Sequence, residues 1–150
     1  MTTSFSPLSD FGFGLTLAAR RWRRAIDDAL ARYGLSDASW RPLLHLDRLG
    51  EGARQNDLAQ SLGIEGPSLV RLLDRLARAG LVERREDASD RRAKTLHFTA
   101  QGREQTARLK RVVAEVCAEM LKGAPPQEIA AAMRLFERLA ADADEPGGRP

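Results

Sequence analysis

The sequence predicts a mainly α-helical fold that contains one short β-hairpin. Over most of the 150 residues, apolar side chains recur every three to four positions, which is the period of an amphipathic helix. After Leu81 the period changes to two, over residues 82–85 and again over residues 95–98, as in a pair of strands. We therefore expect helices on both sides of a single hairpin.

Four helices are predicted before the hairpin, because apolar stripes alternate there with glycines that end helices. Gly12 and Gly14 weaken the opening turn of the first helix, so its start is uncertain by several residues. Pro42 favours the later of two starts for the second helix, since the N–H of the third helical residue has no partner within a helix. The expected helices run from residue 9, or as late as 15, to 33; from after residue 36 or 39 to 50; from 55 to 62; and from 67 to 79.

The hairpin should bury one face. Leu96 and Phe98 share a face of its second strand, with polar side chains on the other. Thr99 can cap the helix that follows, which we expect to extend to about residue 122. Two prolines at 125 and 126 separate it from a last helix that ends near residue 141, and residues 142–150 are predicted to be disordered.

The composition indicates a soluble, cytoplasmic protein. A net charge of +3 and a pI of about 9.6 permit a nucleic-acid partner without requiring one. The single cysteine allows no intrachain disulfide, which suits a reducing compartment. The N-terminus has neither the charge nor the apolar core of a signal peptide, and no apolar run is long enough to cross a membrane.

The two short helices before the hairpin are typical of a helix-turn-helix. A turn at residues 63–66 joins them, and the second has leucines on one side and polar residues on the other. A hairpin directly after such a pair makes it a winged helix-turn-helix, in which the second helix is the recognition helix. Arg71 lies on its outer side, where an arginine in the major groove can bind both acceptors of a guanine. Pro67 and Ser68 lie at the helix start, close to bases or phosphates.

The tip of the hairpin carries charges of both signs. Its sequence is EDASDRRAKTLHFT, residues 86–99. An arginine here, such as Arg92, can enter a narrow minor groove, where the negative potential is concentrated. Asp90, two residues away, can hold the Arg92 guanidinium in one orientation. A solvated turn would carry the same charges, so the functional interpretation depends on the recognition helix beside it.

Three blocks of the sequence resemble the MarR family of bacterial transcription regulators, in particular its SlyA branch. They are GIEGPSLVRLLD at 63–74, GLVER at 80–84 and DRRAK at 90–94. The resemblance implies a homodimer in which the first helix and the last two helices interlock, and two winged domains straddle a pseudo-palindromic operator. The implied domains are 9–33 with 100–141 for dimerisation and 36–99 for DNA binding.

The resemblance also implies which residues bind double-stranded DNA. The wing signature falls on Asp90 and Arg92, and the recognition-helix contacts fall on Pro67, Ser68 and Arg71. The predicted DNA-binding set is completed by Arg75, Arg91 and Lys94, the last two as contacts to the DNA backbone.

A dimer is also expected from the residues themselves. The helices at both ends of the chain carry apolar stripes that are too broad for a small winged domain to bury. A second copy of the chain would cover them. The alternative is a monomer that folds its end helices onto itself.

In the family, small anionic aromatic molecules often occupy a cleft between the dimer helices and the DNA-binding domain. The candidate lining for such an aromatic carboxylate is Arg20, Arg21, Trp22, Trp40 and His45. Trp22 lies on an apolar stripe, so core or dimer packing explains it better, and a structural role is the better interpretation of His45. Pro42 departs from the family pattern, which leaves the local pocket geometry open.

Other functions have less support. Cys117 lies beside Val113 and Met120 on an apolar stripe, so we expect core packing rather than a redox sensor. Two isolated histidines and one cysteine give no metal cluster, and no phosphate-binding loop or nucleophile–base pair indicates an enzyme or a cofactor. The main hypothesis is a sequence-specific, DNA-binding transcriptional regulator that a small aromatic acid releases, for which the sequence leaves repression or activation open. The alternatives are a constitutive or nucleoid-competing DNA-binding protein, a cysteine redox sensor, and an enzyme or small-molecule binder without a DNA role.

Overall fold

The computed structural model describes residues 7–33 and 40–141. Within these ranges the chain forms a mainly helical fold with one small antiparallel sheet. Its elements are α1 (Pro7–Arg32), α2 (Trp40–Leu49), β1 (Ala53–Arg54), α3 (Gln55–Leu62), α4 (Gly66–Arg78), β2 (Val82–Glu86), β3 (Lys94–Phe98), α5 (Ala100–Met120) and α6 (Pro126–Ala141). The predicted tail at 142–150 and the two alternative starts of the second helix, after residue 36 or 39, lie outside the described residues.

Helix α1 starts earlier than expected. It begins at Pro7, two residues before the earliest predicted start, and continues through Gly12 and Gly14. Proline is favoured in the first turn of a helix because its φ is already helical and its missing N–H would have had no partner. The hydroxyl of Thr16 donates to the Gly12 carbonyl oxygen at 3.0 Å, within the helix. The predicted start of this helix was therefore wrong.

The helix-turn-helix agrees closely with its prediction. Helix α3 has the predicted bounds, and Gly63 ends it in the left-handed conformation, at φ 64°. Glycine reaches this region without the steric penalty of a Cβ. Helix α4 starts one residue earlier than predicted, at Gly66, with Pro67 in its first turn. Helix α2 starts at Trp40, so Pro42 occupies the third helical position as expected.

The sheet contains a strand that we did not predict. Its order is β1–β3–β2, with both pairs antiparallel. The strand β1 has two residues, Ala53 and Arg54, opposite Leu96 and Thr95. Beyond this short pairing, a carboxylate oxygen of Glu51 accepts a hydrogen bond from the Phe98 N–H at 3.2 Å. A side chain therefore extends the interaction of β1 with β3 past its two backbone partners.

One core holds the winged helix-turn-helix to α1 and α5. Ile26 and Leu30 of α1 and Leu109 of α5 are buried in it. Each of these helices presents an apolar stripe inward, and burial of such side chains is the main favourable contribution to folding. The core also contains Leu43, Leu46, Leu58, Leu69, Leu73, Leu76, Leu81, Val82, Leu96, Phe98 and Val112.

The chain divides into two compact units, Met1–Val116 and Cys117–Pro150. In the first unit, the N-terminal half of α1 leaves its apolar side chains exposed, among them Phe11 and Phe13. In the second unit, α6 has no buried residue. The predicted division into dimerisation helices and a DNA-binding domain stays a prediction.

Candidate nucleic-acid interface

The recognition helix α4 has two chemically distinct sides. Leu69, Leu73 and Leu76 are at most 2% exposed and fix its inner side to the core. The outer side is exposed and carries Pro67, Ser68, Arg71, Arg75 and Arg78. The leucine spacing of three and four residues dictates this division, because it places the leucines on one side of a helix and the arginines on the other.

Ion pairs separate the arginines that support the fold from those that face outward. Arg84 of β2 pairs with Asp74 of α4, which ties the wing to the recognition helix. Among the described residues, no ion pair holds the side chains of Arg71, Arg75 or Arg92. These exposed guanidinium groups are therefore available to a negatively charged partner. The Asp74–Arg84 pair was not predicted from the sequence, because its partners are ten residues apart on different elements.

The tip of the wing is shaped by Asp90, but not as predicted. Its carboxylate accepts a hydrogen bond from the backbone N–H of Arg92 at 3.0 Å, and its carbonyl oxygen accepts one from the Ala93 N–H at 2.9 Å. This is an Asx-type turn, in which an aspartate side chain fixes the backbone two residues on. Asp90 thus orders the turn that presents Arg92, whereas we predicted that it would hold the Arg92 guanidinium.

A second aspartate fixes the base of the same tip. Asp87 accepts hydrogen bonds from both the backbone N–H and the hydroxyl of Ser89, at 2.8 and 2.7 Å. Its other oxygen pairs with Arg54 at 2.8 Å, and Arg54 also contacts the Ser89 hydroxyl. The hydrogen bonds from Ser89, followed by the Arg54 charge, lower the pKa of Asp87 to about 2. The wing tip is therefore tied to the residue that precedes α3.

Neither partner of this contact was in the predicted set. The Asp-Ala-Ser order at residues 87–89 is a turn signal that indicates the hydrogen bonds with Ser89. Nothing in the sequence near Asp87 indicates Arg54, which lies 33 residues away.

The other predicted wing residues are exposed. Arg91 and Arg92 lie in the tip. Lys94 is the first residue of β3 and pairs with Glu86, across the hairpin, at 3.4 Å. That pair links two exposed side chains, so it leaves the lysine free to exchange partners at low energetic cost.

The residues predicted to bind a small molecule do not all meet in one place. The indole N–H of Trp40 donates to Asp27 of α1 at 2.9 Å, so this side chain faces α1. His45, one turn further along α2, contacts the Ser61 hydroxyl of α3 through Nδ1 at 2.7 Å. Burial, and then the charges of Arg41 and Arg48, lower the pKa of His45. The structural role that we favoured for His45 agrees with this contact.

Trp22 packs against the core while partly exposed, as its apolar stripe indicated. Arg20 and Arg21 are exposed on α1. The five predicted lining residues therefore do not form one pocket. Trp40 faces α1, His45 contacts α3 and Trp22 packs against the core, whereas Arg20 and Arg21 are on the surface.

A cleft of about 250 Å³ lies between the end of α1 and the middle of α5. It is lined by Tyr33, Arg108, Arg111, Val112 and Glu115. The Tyr33 hydroxyl donates to a carboxylate oxygen of Glu115 at 3.3 Å. Arg108 pairs with Glu104 at 2.7 Å, so Arg111 is the arginine of this lining that no ion pair holds among the described residues. One such arginine beside an aromatic ring can bind an anionic aromatic molecule. None of these residues was in the predicted set; the α5 residues follow an i, i+3, i+4, i+7 spacing, but their proximity to Tyr33 depends on the tertiary fold.

The described part of the chain contains no cluster of three or more His, Cys, Asp or Glu side chains that could hold a metal ion. Cys117 is partly exposed near the end of α5 rather than fully buried, and its role in core packing stays a prediction. Among the described residues, no helix is both long enough and apolar enough to cross a membrane.

The fold and the exposed arginines define a winged helix protein that binds DNA. A sequence model of the MarR family matches residues 33–93. The crystal structure of transcriptional regulator PA3341 is 40% identical in sequence, superposes with a TM-score of 0.80, and aligns over 89% of this chain and 98% of its own. The chain therefore belongs to the MarR family of transcriptional regulators.

Two further structures share the fold at lower identity. CouR from Rhodococcus jostii RHA1, bound to p-coumaroyl-CoA, is 24% identical, with a TM-score of 0.78 over 98% of this chain and 100% of its own. A mutant MarR from E. coli, complexed with operator DNA, is 21% identical, with a TM-score of 0.75 over 92% and 99% of the two chains. These likenesses show the winged helix fold alone.

Proposed function

We propose that this protein is a homodimeric repressor of the SlyA-like branch, which binds a pseudo-palindromic operator and is released by a small aromatic acid. The observation that carries the proposal is the arrangement of unpaired arginines. Arg71 and Arg75 on α4, and Arg92 on the wing, are exposed on one unit whose helices and sheet share a core. Such a unit presents one basic element to the major groove and another to a minor groove.

In this proposal, a side chain of α4 reads the bases, and the N-terminus of α4 contacts the DNA backbone. Arg71 is the proposed reader of a guanine in each half-site. No side chain caps the N-terminus of α4, where Pro67 and Ser68 are exposed. A phosphate is a favourable partner for such a helix end. The fold shared with the operator complex of a mutant E. coli MarR is consistent with this placement.

Dimerisation is supported by exposed apolar side chains at both ends of the chain. Large apolar residues exposed singly are common in monomers, but a series along one helix indicates a partner. On α6, Met133, Phe136 and Leu139 are 51%, 45% and 47% exposed and follow the three-residue spacing of one helix face. The exposed set on α1 is Leu8, Phe11, Phe13, Leu15 and Leu17.

The effector is assigned to the cleft between α1 and α5 in preference to the lining predicted from sequence. The cleft of about 250 Å³ is slightly smaller than the ~300–1,000 Å³ of typical ligand pockets, so it suits a small ring with a carboxylate. Arg111, which no ion pair holds among the described residues, would bind the carboxylate, and Tyr33 would pack on the ring. Arg108 could add to this binding only by exchanging its exposed partner Glu104. CouR, which shares the fold, binds an aromatic acyl thioester.

The test is a binding assay with operator selected from random DNA and with random duplex, over a range of salt concentrations. We expect tight binding to the selected sequence, weak binding to random duplex, and a steep salt dependence for both. Equal affinity for the two duplexes would instead establish a constitutive, nucleoid-type binder.

Release is tested by titrating benzoate, salicylate and p-coumarate into the operator complex while following tryptophan fluorescence. We expect at least one of these three acids to release the operator, and Arg111→Ala to abolish the response while keeping operator affinity. The coenzyme A thioester of p-coumarate, whose acyl group has no free carboxylate, is the comparison. Release by the thioester alone, or by none of these compounds, would leave the repressor without the proposed effector class.

A further inference from the structure

Four residues join the end of the recognition helix to the start of α5. We name Gly80, Leu81, Thr99 and Gly102 the α4–α5 junction. The Thr99 hydroxyl donates to the Gly80 carbonyl oxygen and accepts from the Gly102 N–H at 2.9 Å. The Thr99 N–H donates to the Leu81 carbonyl oxygen at 3.1 Å. One threonine therefore bonds both to the segment that ends α4 and to the first turn of α5.

The α4 side of the junction is fixed by its own backbone. The Leu81 N–H donates to the Leu76 carbonyl oxygen and the Gly80 N–H to the Ala77 carbonyl oxygen, both at 3.0 Å. Gly80 has a φ of +71°, as expected where a glycine ends a helix and its carbonyls are satisfied in this way. Leu81 is 7% exposed. A displacement of Leu81 would therefore be passed on to the last turn of α4.

The α5 side is fixed by an unusually close approach. A Cβ at Gly102 would lie 1.8 Å from the Leu81 carbonyl oxygen and 2.8 Å from its carbonyl carbon. Atoms cannot approach this closely, so any larger residue must push α5 and Leu81 apart. Glycine is otherwise unfavourable inside a helix relative to alanine. Its presence in the first turn of α5 is explained by this contact.

We propose that the α4–α5 junction sets the angle between the recognition helix and α5, which makes Thr99 and Gly102 positioning residues for half-site spacing. The proposal rests on the proposed function, because it needs a dimer in which α5 belongs to the dimerisation part and α4 reads the operator. In such a dimer the two recognition helices must lie about 34 Å apart, one turn of DNA. A change in the angle between α4 and α5 alters that separation without touching any DNA-binding residue.

The test compares operators whose half-sites are separated by the selected spacing or by one base pair more or less. Thr99→Val keeps the shape of the side chain and removes both of its hydrogen bonds; Thr99→Ser keeps the hydroxyl. Gly102→Ala introduces the clash while adding a better helix former. We expect Thr99→Val and Gly102→Ala to lose the preference for the selected spacing, and Thr99→Ser to retain it.

A control separates spacing from general stability. Ile26→Val removes one buried methylene from α1, away from the junction, and lowers the melting temperature without a reason to change the helix angle. We expect this variant to keep the spacing preference. If Ile26→Val loses the preference as Thr99→Val does, the effect is one of stability and the proposal is overturned.

A distance measurement tests the same proposal without DNA. A spin label at Ala77→Cys in α4, in a Cys117→Ser background, reports the separation of the two recognition helices in the full-length dimer. We expect a broader or shifted distance distribution for Thr99→Val and Gly102→Ala than for the parent. If the parent dimer shows a spacing preference and a defined distance that both variants share, the proposal is overturned while the proposed function stands. If the parent shows no dimer distance and no spacing preference, the proposed function fails first.

Discussion

Arg71 is the residue of α4 that we propose as the base reader. Its side chain lies opposite the leucines that anchor α4, so its removal should leave the fold intact. We expect Arg71→Ala to weaken operator binding by about 1–3 kcal/mol and to relax the preference at one position of each half-site. Arg48→Ala, which removes an exposed arginine from α2, is the control for net charge. Unchanged affinity for the selected operator would exclude Arg71 as a base reader.

The Asx turn at Asp90 predicts an effect of Asp90→Ala on operator binding that is opposite to the effect of charge alone. By charge alone, removing a carboxylate near the DNA phosphates should strengthen operator binding. We expect Asp90→Ala to weaken binding instead, because the Arg92 N–H loses its acceptor and the tip loses its fixed conformation. Asp90→Asn keeps a carbonyl acceptor, so it should bind as well as the wild type. If Asp90→Ala binds more tightly than the wild type, Asp90 does not order the tip.

Arg92→Ala is the partner measurement for the same tip. We expect weaker operator binding and a salt dependence reduced by about one unit, since one fewer phosphate-bound ion is displaced. A neutral result for both Arg92→Ala and Asp90→Ala would mean that the hairpin tip is a solvated turn.

His45 gives the fold a pH dependence near neutrality. Because its pKa is lowered in the folded state, the unfolded state binds the extra proton first as the pH falls. The free energy of unfolding should therefore decrease as the pH falls below about 6.5, the ordinary value of histidine. Denaturant unfolding between pH 5 and 8 measures this. We expect His45→Gln to flatten the dependence, and an equally steep one in that variant would contradict the assignment.

At the scale of elements, the Arg54–Asp87 contact holds the wing to the start of α3. Asp87→Ala should loosen the tip, because Ser89 and Arg54 both lose their acceptor. Hydrogen exchange of the Ser89 amide measures this loosening, and Lys122→Ala, at an exposed ion pair beyond α5, is the control.

The low pKa of Asp87 means that its contact with Arg54 contributes fully above about pH 4 and is lost as the pH falls through about 2. Operator binding between pH 5 and 8 should therefore not depend on its titration.

Several secondary-structure elements could be predicted from the sequence. The helix-turn-helix, the hairpin and the cap at Thr99 follow from local signals: a leucine stripe, glycines that end helices, a capping residue type, and a period that changes from 3.6 to 2. The strand β1 gave no signal, because two residues are too few to show a period. It forms because Gly50 and Gly52 turn the chain so that the Gly52 N–H meets the Leu96 carbonyl oxygen at 2.8 Å.

The candidate site also contains residues that the sequence could predict and residues that it could not. The exposed residues of α4 were predictable, since a helix that buries its leucines must expose the positions between them. The contact of Asp87 with Arg54, the lining at Tyr33 and the close approach of Gly102 to Leu81 were not predictable. Each depends on contacts between residues far apart in the sequence, which no periodicity encodes.

For the complete protein, formation of the dimer should stabilise the fold against thermal unfolding. We expect light scattering at micromolar concentration to give twice the 16.6 kDa mass of one chain, and the melting temperature to rise with protein concentration. Phe136→Glu places a charge among the exposed apolar side chains of α6 and should yield monomers, whereas Gln127→Glu on the same helix should not. A wild-type monomer would contradict both the dimer and the palindromic operator.

The two side chains that fasten β1, Glu51 and Arg54, have a consequence for how a single winged domain holds DNA. Glu51 binds the Phe98 N–H and pairs with Arg103 of α5, while Arg54 binds the wing tip. These contacts join the wing to the helix-turn-helix, so in the proposed operator complex they would bind as one unit rather than as two tethered ligands. Once α4 occupied its groove, the wing would meet the neighbouring groove at a high effective concentration. Loss of the Glu51 contacts or of the Arg54 contact should therefore cost more free energy of operator binding than the contact itself supplies. Such an excess loss is the signature of a chelate.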